Sequence, residues 1–267
     1  LTDKTDSTLL ASSDAAIATS GSAGDAAEPP MVRNIVLVHG AFADGTSWGK
    51  VIRILEARGF HVTAVQNPLT SLKDDVEATR RAIALQEGPV ILAGHSWGGA
   101  VITEAGDHPQ VAGLVYVAAY APEAGHSANE TSLPFGVTDG QKQIRVDAEY
   151  YASLSLEGMM DYVAEGLTLQ ERRLMFAVQG QSYGPMFDEK LTRAAWKTRP
   201  SWHVIATKDR ILPTAMQEAG AHRSGGHPVF VATCHVAMMQ EPEKVADVLT
   251  EAARNALKGG QGSQEVA

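Results

Sequence analysis

The stretch Val90-Ile91-Leu92-Ala93-Gly94-His95-Ser96-Trp97-Gly98-Gly99-Ala100 decides how the rest of the chain is read. Val90–Ala93 is a continuous apolar run with no alternation, which reads as a strand buried on both faces. Gly94 to Gly99 interrupts it, and the small-residue run Ala100–Ala105 that follows reads as a helix. A strand that turns directly into a helix with Ser96 at the bend fits the pattern G-x-S-x-G. Gly and Ser are common, so the five letters alone carry little; the strand before and the helix after carry the reading. Flanking glycines leave room for a strained backbone and for close approach of neighbouring chain. Such a turn lifts the Ser96 hydroxyl above the sheet edge, and the helix N-terminus beside it favours developing negative charge.

Upstream, Asn34–Val38 (NIVLV) reads as another buried strand, followed by a Gly-containing loop over His39–Ser47. Trp48–Arg58 reads as an amphipathic helix stopped by Gly59, and Phe60–Val65 as a strand. Ser71 is placed to cap a helix through Leu85, with Asp74 and Asp75 in its first turn. Downstream, Val111–Tyr116 reads as a strand. Alternating strands and helices of this kind predict a mostly parallel sheet flanked by helices on both faces.

After Tyr120 the alternation stops. Residues 122–199 show helical patterns around Glu149–Leu154, Leu156–Glu165, Leu169–Val178 and Glu189–Trp196, and no convincing strand. The strand pattern resumes at Ser201–Thr207, followed by a helix near Thr214–His222, a strand at Pro228–Ala232 and a helix at Glu243–Leu257. The expected organisation is a core of residues 31–121 and 200–257 with a helical cap, 122–199, inserted in the second half. Residues 1–30 are rich in Ala, Ser, Thr, Gly and Asp; too few large apolar side chains are present to offset ordering entropy, so a flexible segment is expected there, and a flexible tail at 258–267.

The formal net charge of -9 argues against a nucleic-acid partner, which needs concentrated Lys and Arg. No apolar run approaches the roughly 20 residues that span a bilayer. Cys234 is the single cysteine, so no intrachain disulfide and no cysteine-rich zinc site forms. Although it adjoins His235, neighbours on a strand point to opposite faces, and Cys234 reads as a small buried side chain. No basic segment followed by an apolar run marks a leader, and the compartment stays open between cytoplasm and export.

A serine hydroxyl needs a positioned base at neutral pH, and chains built on this turn supply partners in the order Ser…Asp/Glu…His. Of the nine histidines, only His235 follows the last strand pattern and precedes the last helix, where a loop reaches the carboxyl edge of the sheet. Asp209 follows the strand pattern HVIAT and precedes His235, and it is the candidate acid that fixes the imidazole tautomer. Asp188 and Glu189 are substitutes, both inside the presumed cap. Stabilising a tetrahedral oxyanion takes N–H donors; Trp97, just after the serine, and Ala41, in the loop after the first strand, are the candidates. His39 reads as a support for that loop.

The segments VLVHGAFADGTSWGKVIRILEARGFHVTAV, GHSWGG and TKDRILP, with the late His235, resemble the α/β-hydrolase superfamily from about Val32 to Leu257. More narrowly they resemble the group of plant methyl-ester esterases, hydroxynitrile lyases and bacterial esterases. The resemblance implies the α/β-hydrolase fold, a triad of Ser96, Asp209 and His235, and oxyanion donors Ala41 and Trp97. TKDRILP matches the family's D-x-x-x-P pattern. Lyases of this group carry Lys after the histidine, where this chain has Val236, and a Thr at the first oxyanion loop, where it has Val38-His39-Gly40-Ala41. Lyase chemistry is therefore disfavoured. Dehalogenases and epoxide hydrolases of the fold use Asp at the turn, which Ser96 excludes.

Expected pocket residues are Phe42, Tyr120, Met159, Met160 and Phe176, together with Trp97 beside the oxyanion donors. Tyr150, Tyr151 and Trp196 are further aromatic candidates. Their collective character predicts an apolar pocket for small or aromatic carboxylic esters, with no cofactor or metal implied. Lactone hydrolysis or perhydrolysis on the same triad is an alternative, as is a ligand-binding receptor with little turnover.

Overall fold

The computed structural model describes residues 31–258, so the expectations for residues 1–30 and for the tail from 259 onward lie outside the described residues. Every residue of β1 (Asn34–Val38) is buried. β2 (His61–Ala64) lies at the sheet edge and is partly exposed. Between them α1 (Gly49–Ala57) follows a short 3-10 turn, Gly45–Trp48, in which Asp44 accepts from Thr46 N–H. α2 (Leu72–Ala84) is capped by Ser71, whose Oγ accepts from Asp74 N–H at 3.0 Å. β3 (Val90–His95) is buried throughout, then come α3 (Gly98–Ala105) and β4 (Val111–Val117).

Residues 122–199 correct the expectation of an all-helical insertion. α4 (Ala128–Ser132) leads to a small antiparallel sheet of β5 (Ile144–Val146), β6 (Tyr151–Leu154) and β7 (Ser182–Tyr183). The segment expected as a helix at Glu149–Leu154 is therefore mostly strand. Asp147 Oδ1 accepts from both Glu149 N–H and Tyr151 N–H, closing a turn that starts a hairpin instead. Burial then alternates along Tyr151–Leu154, a period of two too short to stand out in the sequence. α5 (Leu156–Gly158) runs into a π-helical turn, Met159–Val163. α6 (Leu169–Val178) begins with a capping box of Thr168 and Glu171. The helix expected at Glu189–Trp196 is reduced to a 3-10 turn, Ala195–Lys197. Its backbone is held from outside: Glu104 Oε2 accepts from Thr192 and Arg193 N–H at 2.8 and 3.0 Å, so tertiary anchors override local propensity.

β8 (Ser201–Ala206), α7 (Thr214–Ser224), β9 (His227–Val231), α8 (Ala237–Gln240) and α9 (Pro242–Asn255) complete the core. The six-stranded sheet has the order β2-β1-β3-β4-β8-β9 and is parallel throughout. On one face Val51 and Leu55 of α1 meet Val245 and Leu249 of α9. On the other, Val76 and Ile83 of α2 pack with Val101 and Ile102 of α3. Strand order reverses between β1 and β3, so their carboxyl-end loops diverge and leave a crevice. That crevice positions the site.

Candidate active site

Ser96 sits in the bend after β3 with φ of 53°, a left-handed conformation that costs a residue with a Cβ about 1–3 kcal/mol. The surroundings hold it there. Ser96 N–H donates to Val117 O, Gly99 N–H to Ser96 O, and Tyr120 N–H to Ser96 O, at 3.2, 3.0 and 3.2 Å. The bend is tight enough to require glycine: a Cβ on Gly94 would lie 2.4 Å from Gly98 O, and one on Gly98 would lie 2.5 Å from Val38 O.

Asp209 and His235, on the loops after β8 and β9, meet in a hydrogen bond of 2.7 Å between His235 Nδ1 and Asp209 Oδ2. A carboxylate only accepts, so Nδ1 carries the proton and Nε2 is left as the basic nitrogen. Both side chains are nearly inaccessible, at 6% exposure for His235 and 0% for Asp209. Four donors converge on the carboxylate. Oδ1 accepts from Ile211 and Leu212 N–H at 2.8 and 2.9 Å, while Oδ2 also takes Gln217 Nε2–H at 3.0 Å. Gln217 is itself fixed, since its Oε1 accepts from Ala206 N–H at 2.9 Å. The His235 carbonyl accepts from His95 Nε2–H at 3.0 Å, and the two imidazole rings lie 4.7 Å apart. Burial lowers the basicity of His95 well below that of an ordinary histidine, so it remains a neutral donor.

The loop after β1 is braced by His39. Asn67 N–H donates to His39 Nε2 at 2.9 Å, which puts the His39 proton on Nδ1, and Nδ1–H donates to Gly40 O at 2.8 Å. In a trans peptide C=O and N–H point oppositely, so holding the Gly40 carbonyl on one side directs Ala41 N–H to the other. Among the described residues neither Ala41 N–H nor Trp97 N–H donates to a protein acceptor. A Cβ on Gly40 would come within 2.8 Å of Ser96 Cβ, so the two loops touch.

Ala41, Phe42, Ser96, Tyr120 and His235 all line one cavity of about 550 Å³. The alpha/beta hydrolase family model matches residues 35–248 of this architecture. The chain belongs to the alpha/beta hydrolase family. A pyrethroid hydrolase of Sphingobium wenxiniae is 28% identical, over 82% of this chain and 87% of that protein. Salicylic acid-binding protein 2 of Nicotiana tabacum is 25% identical, over 83% of this chain and 97% of its own length. Among solved structures, a pyrethroid hydrolase from Sphingobium faniae aligns with a TM-score of 0.70 at 26% identity, covering 85% of this chain and 99% of that one.

In this alpha/beta hydrolase the expected pocket residues divide. Phe42, Tyr120 and Met159 line the cavity, whereas Met160 and Phe176 do not. Met159 and Val163 share the inner face of the π-helical turn, which leaves Met160 rotated away. On α6 the lining residue is Met175; Phe176, about 100° further round the helix, packs on the core instead. Trp97 also turns inward, its indole N–H donating to Asp75 Oδ2 at 2.7 Å. Tyr150 is 64% exposed, Tyr151 packs on Tyr183, and Trp196 Nε1–H donates to Pro122 O, so none of these reaches the cavity. Cys234 is buried, with its thiol pushed up by desolvation. Among the described residues no helix is long and apolar enough to cross a membrane, and no group of three or more His, Cys, Asp or Glu is arranged to hold a metal.

The sequence reading missed Gln217, His95 and Asp75, whose roles depend on what packs against them. Asp75 is fully buried, and desolvation, with Asp74 and Glu189 adding repulsion against hydrogen bonds from Trp97 and Leu69, pushes its pKa up to about 6. From about pH 4 to 6 the folded chain keeps a proton that the unfolded chain has shed. Asp75 therefore removes stability as pH rises through this window, by roughly 3 kcal/mol in total. Urea unfolding of wild type and Asp75→Asn from pH 4 to 7 should show wild type losing ground by about that amount; a constant difference would contradict the burial.

Proposed function

We propose that this chain is a serine hydrolase that cleaves apolar or aromatic carboxylic esters through an acyl-enzyme. The observation that carries the reading is convergence: Ser96, the Asp209-bound His235 and Ala41 line one cavity, and Trp97, which directly follows Ser96, has, like Ala41, a backbone N–H with no acceptor among the described residues. Ser96 Oγ attacks the ester carbonyl carbon as His235 Nε2 takes its proton. Ala41 and Trp97 N–H donate hydrogen bonds to the carbonyl oxygen as negative charge develops on it. Collapse breaks the carbon–oxygen bond to the alcohol, which leaves with the proton from His235. Water then repeats the sequence on the acyl-enzyme, releasing the acid and restoring Ser96. Asp209 keeps the proton on Nδ1 and stabilises the transient imidazolium.

The cavity volume suits a ligand of drug-like size, and Phe42, Met159, Val163 and Met175 give it an apolar wall. The similarity to a protein named as a pyrethroid hydrolase agrees with an ester of that character.

Rapid mixing with excess p-nitrophenyl butyrate tests the proposal. The expected result is a burst of nitrophenol equal to the enzyme concentration, with the butyryl mass on the quenched peptide containing Ser96. Saturable binding without turnover or adduct would favour a ligand-binding receptor.

A further inference from the structure

Asp75 stands on α2 beside the like charges of Asp74 and Glu189, yet its side chain is wholly buried. A carboxylate in that setting is expensive unless its oxygens are used. Both are: Oδ1 accepts from Leu69 N–H at 2.8 Å and Oδ2 from the Trp97 indole at 2.7 Å. Leu69, at φ of 58°, passes the connection on, because its carbonyl accepts from Tyr183 N–H at 2.8 Å. Next to Tyr183 on β7, Ser182 Oγ accepts from Phe42 N–H at 3.3 Å. One hydrogen-bonded path therefore runs from the residue after Ala41, through β7 and Leu69, to the side chain of Trp97.

Resting on the reading of Ser96 as nucleophile, we propose that Asp75 is a positioning residue, which anchors the Trp97 indole and thereby holds the Ser96–Trp97 peptide with its N–H aimed at the oxyanion. The physical reason is strain. Ser96 is held in the left-handed region and gains by relaxing toward ordinary backbone angles, which would rotate the adjoining peptide and misdirect its N–H. The indole is a lever on that peptide. It is fixed at its N–H by Asp75 and at its ring by an edge contact with Phe187, centroids 5.0 Å apart. An anchor of this kind acts on charge that develops only in the transition state, so its loss lowers kcat and spares KM.

Asp75→Asn tests this with almost no change of size. Two N–H donors face the two oxygens, and an amide offers one acceptor, so one link must break. Hydrolysis of p-nitrophenyl butyrate should fall about 10- to 100-fold in kcat, short of the 10²- to 10³-fold loss of an oxyanion donor outright, with KM within about twofold. Inhibition by a trifluoromethyl ketone, which forms a tetrahedral adduct, should weaken in parallel, while inhibition by a simple alcohol stays constant. In a Trp97→Phe background, itself slower, the amide can turn its oxygen to Leu69 without conflict, so Asp75→Asn should cost less than about threefold.

Losses that multiply across the two sites would overturn the assignment, as would a rise in KM with kcat unchanged. Should Asp75→Asn fail to fold, Trp97→Phe alone decides: a kcat equal to wild type overturns the proposal, and a lowered kcat at constant KM supports it. A wild-type protein that neither hydrolyses the ester nor captures the ketone overturns the nucleophile reading and this inference together; an active wild type with an unaffected Asp75→Asn variant overturns this inference alone.

Discussion

Ser96→Ala is expected to abolish the burst and to lower kcat for p-nitrophenyl butyrate by about 10⁴- to 10⁶-fold, while binding of unreactive ligands and thermal stability stay near wild type. The size of the loss follows from chemistry: without the hydroxyl no acyl-enzyme forms, and only the oxyanion donors and binding remain to accelerate direct attack by water. The near-constant stability follows from geometry. The bend is held by backbone bonds to Val117 O and from Gly99 and Tyr120 N–H, none of which uses the Ser96 side chain, and alanine pays about the same left-handed penalty as serine. Stopped-flow kinetics and thermal unfolding of the same preparations read both quantities. A variant that keeps the burst would assign the nucleophile elsewhere.

Asp209→Asn should lower kcat by about 10³- to 10⁴-fold, with Gln217 giving up its bond to the side chain and keeping the one to Leu212 O. Ile211 and Leu212 N–H are fixed backbone donors on Oδ1, so the amide must put its oxygen there and its NH₂ in the Oδ2 position. That NH₂ then faces His235 Nδ1, which can remain hydrogen-bonded only by giving up its proton and accepting instead. The proton moves to Nε2, and the imidazole no longer offers a base toward Ser96. Steady-state kinetics give the loss, and ¹⁵N chemical shifts of the ring give the tautomer. A kcat within about tenfold of wild type, or an unchanged tautomer, would contradict the role assigned to the Asp209–His235 bond.

How much was legible from the sequence differs between strands and side-chain partners. NIVLV and VILA declare buried parallel strands because a strand covered on both faces is apolar at every position, a local property. Asp209 and His235 could be picked out because each follows a strand pattern, β8 buried and β9 at the sheet edge, and chain order alone brings strand ends to one edge of a parallel sheet. The hairpin around Asp147 was not legible, since four residues of Tyr, Ala, Ser and Leu carry no firm preference and an aspartate turn decides them. Glu189–Trp196 failed for a related reason: Glu104, far away in the chain, claims its backbone donors. Gln217 and Asp75 were invisible as the partners of Asp209 and Trp97 because a polar residue on a helix announces neither its burial nor its hydrogen-bond partner. Met175 in place of Phe176 shows that even a correct helix leaves the facing residue unsettled by one step.

The residues between β4 and β8 supply Met159, Val163 and Met175 to the cavity, while Ser96, Asp209 and His235 stand on loops of the six-stranded sheet. Substitutions at these three positions thus change the cavity wall while the loops that carry Ser96, Asp209 and His235 keep their own hydrogen bonds. Ser182 and Tyr183 tie the span to the core, the first through its hydroxyl to Phe42 N–H in the loop after β1 and the second through its N–H to the Leu69 carbonyl. A lineage that remodels this roof is constrained to retain those two neighbouring attachments, with the ring contact of Phe187 on Trp97 beside them.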